Sequence, residues 1–169
     1  MSKLLRVLQV EDSESDAELV ASCLERAGYD VQSDRVEGAA QMRAALAHQL
    51  WDVVISDYRM PQFDAPSALK TLVETRQDIP FIVVSGTIGE DVAVEMMKAG
   101  AHDYVMKGNL SRLPQAVERE IREALTRQQR AKAEAVTPVS WARLTKMLPS
   151  ENGCAFEALS RKGRETVAY

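Results

Sequence analysis

Between Leu4 and about Arg130 the chain alternates five times between a short apolar stretch and a stretch with helical spacing. That rhythm constrains the fold more than any other feature, because successive strands separated by helices are parallel strands joined by crossovers. The strand stretches are Leu5 to Val10, Val31 to Val36, Val53 to Ser56, Phe81 to Val84 and Asp103 to Met106. The helical stretches carry Ala17, Val20, Leu24 and Ala27; Ala39, Met42 and Leu46; Ala68, Leu69, Leu72 and Val73; Val92, Ala93, Met96 and Met97; and Leu113, Val117, Ile121 and Leu125. Gly28 and Gly100 sit where helices end, and Pro80 opens a strand. The expectation is a parallel α/β sheet covered on both faces.

Strand composition also orders the sheet. Val53-Val54-Ile55 and Phe81-Ile82-Val83-Val84 are continuously apolar and the first strand nearly so, which marks three central strands. Val31 to Val36 and His102 to Met106 are mixed, as edges are. Edge positions for the second and fifth strands give the order 2-1-3-4-5, a flavodoxin-like doubly wound sheet.

With 169 residues, the chain holds one domain of ordinary size and some 40 residues more. Residues 1–130 form the expected domain and 131–169 a tail, partly helical or loosely ordered. Thr126 to Ala135 is rich in Arg, Gln, Lys, Glu and Ala without an apolar stripe, so the last helix is expected to continue as a solvated stalk until Thr137-Pro138 ends it. Beyond lie a short amphipathic piece with Trp141, Leu144 and Leu148, a breaker at Pro149 to Gly153, and a segment around Phe156 and Leu159.

Charge and cysteine content exclude several classes of function. A net charge of -4 exerts no general pull on nucleic acid. The tail's Arg143, Lys146, Arg161, Lys162 and Arg164 are offset by Glu151, Glu157 and Glu165, so no DNA-binding output is expected. Cys23 and Cys154 have neither disulfide nor zinc spacing, in keeping with a reducing compartment. The apolar start, Met1 to Val10, is broken by Arg6 and stopped by Glu11 and Asp12, too early for a signal peptide. No run approaches a membrane span, and a cytoplasmic protein without membrane contact is expected.

Polar residues recur at the carboxyl end of the strands: Glu11 and Asp12 after the first, Asp57 after the third, Ser85-Gly86 after the fourth and Lys107 after the fifth. In the order 2-1-3-4-5 the first and third strands flank the switch point, where ligands bind. Taken singly, Asp12 and Ser13 read as helix caps, Asp57 and Ser85-Gly86 as turn formers and Lys107 as a loop lysine. Together the three carboxylates call for a hard cation such as Mg2+. A carboxylate beside it can act as a nucleophile toward phosphorus, while a lysine and a hydroxyl receive the phosphoryl oxygens. The set describes a phosphoryl-transfer site.

At this point the sequence resembles the response-regulator receiver domains of two-component signalling, from Leu4 to about Leu125. The resemblance rests on Val10-Glu11-Asp12, on Val54-Ile55-Ser56-Asp57-Tyr58-Arg59-Met60-Pro61, on Val84-Ser85-Gly86-Thr87, and on Ala99 to Lys107. It implies that Asp57 accepts a phosphoryl group from a histidine kinase or phosphotransfer protein. Asp12, Asp57 and the Arg59 carbonyl would hold Mg2+, with Glu11 acting largely through water. Ser85 and Tyr104 would be the switch pair, and the side chains of Arg59 and Thr87 would flank the path of water to the acyl phosphate. Output would pass to a protein partner through the fourth helix, fifth strand and fifth helix, with a homodimer as one arrangement. Two departures stand out: Lys107 is followed by Gly108 where such domains usually have proline, and position 86 is glycine where alanine is frequent. The Lys107-Gly108-Asn109-Leu110 form resembles receivers attached to sensor kinases, so the chain also reads as a receiver piece of a larger hybrid protein.

Two rival readings fit less well. Magnesium-dependent phosphatases with an aspartate nucleophile carry Asp-x-Asp after the first strand, which Glu11-Asp12-Ser13 does not supply. A dinucleotide site needs glycines in the first βα turn, where this chain has Glu11-Asp12-Ser13-Glu14-Ser15. The expectation is therefore a switch rather than an enzyme with its own substrate.

Overall fold

The computed structural model describes residues 2–86 and 90–144, with side chains described for 2–86 and 91–135. Elements follow in the order β1 (Lys3–Val10), α1 (Glu14–Arg26), β2 (Tyr29–Val36), α2 (Ala39–His48), β3 (Val53–Asp57), α3 (Ala65–Glu74), β4 (Phe81–Ser85), α4 (Glu90–Ala99) and β5 (Asp103–Met106). A 3-10 turn over Lys107–Arg112 then leads into α5 (Leu113–Leu144). The strands form one sheet in the order β2-β1-β3-β4-β5, every pairing parallel. This is the expected doubly wound arrangement. The chain divides into two units, residues 1–129 and 130–169.

Alternate residues of the central strands feed two cores. Leu8, Val10, Val54, Phe81 and Val83 face Met42 and Leu46 of α2, Leu69 and Leu72 of α3 and Met96 of α4. Leu5, Val7, Val53, Ile55, Ile82 and Val84 face Val20 and Leu24 of α1 and Leu113 and Val117 of α5. Val53 to Ile55 of β3 and Phe81 to Val84 of β4 are continuously apolar, and β1 nearly so, because both faces of these strands are covered. Local chemistry sets the helix ends. Ser13 caps α1 by accepting from the Asp16 amide, Asp64 caps α3 by accepting from the Ser67 amide, and Gly28 leaves α1 at φ +97°.

The edge strand β5 is fastened by charge as well as by apolar contact. Asp103 is buried and pairs with Arg112 at 3.2 Å and Arg119 at 2.7 Å, and Arg119 also reaches buried Glu120 at 2.7 Å. Just before β5, His102 Nδ1 accepts the Phe81 amide at 3.1 Å. Burial, and then Arg127, hold the His102 imidazole below its ordinary value of 6.5, with Asp78, Glu120 and Glu123 opposing them. In the unfolded chain His102 takes up a proton near that ordinary value, whereas the folded chain resists it, so stability falls as pH drops through this window. His102→Gln should lose stability less steeply, by up to about one proton's worth of slope between about pH 7 and 5. Parallel urea-unfolding slopes against pH for the two proteins would count against this assignment.

One boundary differs from expectation. Thr137-Pro138 does not end the last helix, which runs on to Leu144. An interior proline removes one backbone donor and crowds the preceding turn, at a cost of about 3 kcal/mol. The Ala, Arg, Gln, Lys and Glu run before it and the helical turns after it keep the rest of the ladder. The expected breaker at Pro149 to Gly153 and the Phe156 and Leu159 segment lie outside the described residues. No helix among the described residues is long and apolar enough to cross a membrane.

Candidate functional site

Strand register brings the polar strand ends to one edge of the sheet. Val10 lies beside Ser56, Asp57 beside Val84, and Ser85 beside Met106, so the residues that follow β1, β3, β4 and β5 converge. Glu11, Asp12 and Asp57 each place a carboxylate oxygen within 4.8 Å of the others. They are hard oxygen donors at a separation one divalent cation can bridge, which fits Mg2+.

Lys107 reaches across this cluster. Its Nζ lies 3.2 Å from Glu11 Oε2 and 3.4 Å from Asp57 Oδ2, and it also pairs with Asp16 Oδ2 on α1. Burial opposes charge on the lysine, but Asp16, Glu11 and Asp57 outweigh it and hold the ammonium above its ordinary range. Burial raises the Glu11 carboxyl, while the Ser13 amide and Lys107 pull it back. Asp57 Oδ1 accepts the Tyr58 amide at 2.8 Å, which fixes the carboxylate plane and leaves Oδ2 toward the lysine.

The rear of the acidic loop is also held. Arg35, at the end of edge strand β2, donates from Nη1 to the Glu11 carbonyl at 3.1 Å and the Asp12 carbonyl at 3.2 Å. Neither Arg35 nor Asp16 stands out in the sequence, because their partners lie 24 and 91 residues away. Asp16 sits where an acidic residue is ordinary helix chemistry, in the first turn of α1.

Ser85 is buried at the end of β4, on the same sheet face as Tyr104. The Tyr104 ring packs against the α2–α3–α4 core, and its hydroxyl donates to Met106 Sδ at 2.8 Å. Burial raises that hydroxyl above its ordinary range, with Ser85 opposing. Arg59 has an exposed side chain beside Tyr58, Met60, Pro61 and Asp64. Thr87 lies outside the described residues. At Gly86 an added Cβ would meet Lys107 Cδ at 3.9 Å, ordinary contact, so alanine fits there too. The 3-10 turn begins at Lys107 and continues through exposed Gly108, with Asn109 departing from helical geometry (φ -137°, ψ 49°).

Comparison with known proteins gives the family and the fold. The family model for the response regulator receiver domain matches residues 7–118. The C4-dicarboxylate transport transcriptional regulatory protein DctD of Pseudomonas aeruginosa is 31% identical over 102 residues, covering 60% of this chain and 22% of that protein. This chain thus spans less than a quarter of the length of that relative. The signal receiver domain of a signal transduction histidine kinase from Syntrophus aciditrophicus is 27% identical with a TM-score of 0.59, covering 70% of this chain and 90% of that one. The beryllofluoride-activated NtrC4 receiver domain dimer is 26% identical with a TM-score of 0.62, covering 70% and 98%. With a sheet of the same order, an acidic cluster at its switch point and a family match across most of the first unit, the chain belongs to the response regulator receiver domain family.

Proposed function

We propose that Asp57 is the phosphoacceptor of a phosphorylation-dependent switch, supplied by a histidine kinase or phosphotransfer protein. The observation that carries this reading is the meeting of Glu11, Asp12 and Asp57 within 4.8 Å, with Lys107 Nζ 3.4 Å from Asp57. An oxygen of Asp57 attacks phosphorus, the P–N bond to the donor histidine breaks, and the imidazole leaves with the electron pair and takes a proton from solvent. Glu11, Asp12 and Asp57, with the Arg59 main-chain carbonyl, would hold Mg2+, which when bound offsets charge on the phosphoryl oxygens. Lys107 pairs with one of those oxygens and the Ser85 hydroxyl with another. Arg59, exposed two residues beyond Asp57, flanks the approach of water and sets the lifetime of the acyl phosphate.

Ser85 and Tyr104 carry the signal outward. A hydroxyl drawn to the phosphoryl group leaves room for the ring, and the change biases a face of α4, β5 and α5 where Val94, Met97 and Met106 are exposed apolar residues. That face suits a protein partner or a second receiver. The receiver occupies residues 1–130, residues 131–169 form an appendage, and the protein works in the cytoplasm.

The test is exposure of the chain to acetyl phosphate with Mg2+. One phosphoryl group per chain should appear in the intact mass, labile to hydroxylamine, and peptide mapping should place it on Asp57. Uptake without Mg2+, or a label mapped elsewhere, would remove the assignment.

A further inference from the structure

We propose that Asp16 is a positioning residue that holds Lys107 back from Asp57 and surrenders it when the phosphoryl group arrives. The inference rests on the phosphoacceptor reading above and adds α1 to the parts of the molecule that respond.

An ammonium has three donors, and Lys107 faces three carboxylates. Its contacts are unequal. The contact to Asp16 is the close one, whereas Glu11 at 3.2 Å and Asp57 at 3.4 Å both lie beyond the span of about 2.7–2.9 Å usual for a charge-assisted bond. The lysine is thus drawn toward α1 and away from the residue it is to assist. Glu11 is buried behind it, with its side chain only 7% exposed, while the Asp16 side chain is 39% exposed. Water can resolvate Asp16 on release and cannot easily resolvate Glu11, so Asp16 is the partner that costs least to give up.

Phosphorylation removes the charge of Asp57 and places a dianion farther out. Lys107 then turns to the phosphoryl oxygens and leaves Asp16. Ser13 Oγ still accepts the Asp16 amide, so the helix start persists while the Asp16 side chain is freed. The first turn of α1 therefore registers phosphorylation independently of Ser85 and Tyr104.

The experiment is a calorimetric titration of the full chain with beryllofluoride at saturating Mg2+. Asp16→Asn should bind about three- to tenfold more tightly than wild type, the range expected for losing a competing ion pair of partial exposure. Asp16→Glu, which restores a competing carboxylate, should return to within about twofold of wild type. In a Lys107→Met background Asp16→Asn should change affinity by less than about twofold, since the competition acts only through the lysine. As a second measurement, the Asp16 carboxyl carbon in wild type should shift toward its solvated position on beryllofluoride saturation. Unchanged or weaker binding by folded Asp16→Asn, equal tightening without Lys107, or a carboxyl resonance that does not move would each overturn the inference while leaving Asp57 as the acceptor. A wild type that binds no beryllofluoride would overturn the acceptor reading, and this inference with it.

Discussion

In metal-free buffer, Lys107→Ala should lose about 2–4 kcal/mol of unfolding free energy, and millimolar Mg2+ should restore most of it. Lys107 is the cation that lies among Glu11, Asp16 and Asp57, and only about a fifth of its side chain is exposed. Removing one partner of a buried pair leaves the other charge without compensation, and here Glu11 would be left facing Asp57 from a buried position. A divalent cation at the same carboxylates supplies the missing charge, and a ligand held only by the folded state stabilises it by mass action.

The pH dependence follows from the signs of the shifts. The lysine is held above its ordinary range, so its contribution is complete below the unfolded value of 10.5 and disappears as pH rises through the higher folded value. The deficit of the variant should therefore be steady through neutral pH and close at strongly alkaline pH. It should also shrink in acid, because protonated Glu11 no longer needs the ammonium. Urea unfolding of both proteins, with Mg2+ and with EDTA, provides the comparison. Equal losses in the two buffers would mean that Lys107 acts by packing its stem rather than by its charge.

The sheet was legible because its strands obey one rule. Val53-Val54-Ile55 and Phe81 to Val84 are apolar at consecutive positions, which only a strand covered on both faces tolerates, and both lie at the centre. The edge strands were legible for the converse reason, with Gln32, Ser33, Asp34 and Arg35 on β2 and the polar Asp103 on β5. Pro138 misled because a local rule about single residues yields to a long run of helix formers on its amino side. In the site, Glu11, Asp12, Asp57 and Lys107 could be read together because each ends or follows a strand, and parallel strands end on one edge. Asp16 and the Asp103–Arg119 pair stand at no strand's carboxyl end, and Arg35, near the end of β2, lies in a polar edge strand where an arginine is unremarkable. Their partners are chosen by register and helix rotation, which exist only once the chain has folded.

Asp57→Asn should abolish phosphoryl uptake and at the same time make the metal-free protein more stable, by about 1 kcal/mol. The amide keeps the shape of the side chain, and its oxygen can still accept the Tyr58 amide now held by Asp57 Oδ1 at 2.8 Å. It has no carboxylate oxygen with which to attack phosphorus, so labelling by acetyl phosphate should fall below detection rather than merely slow. The gain in stability comes from charge. Asp57 shares its neighbourhood with Glu11 and Asp12 within 4.8 Å, and Asp57, Glu11 and Asp16 all draw on Lys107. Taking away one of these negative charges relieves repulsion and leaves the lysine to the rest, an effect that should fade at high salt for the exposed members and persist for buried Glu11. Opposite signs for the two effects separate a functional residue from a structural one, because a side chain kept for the fold would lower stability when replaced. A variant that loses labelling and also unfolds more easily would make Asp57 a structural member of the cluster, and one that still takes up phosphoryl would move the acceptor elsewhere.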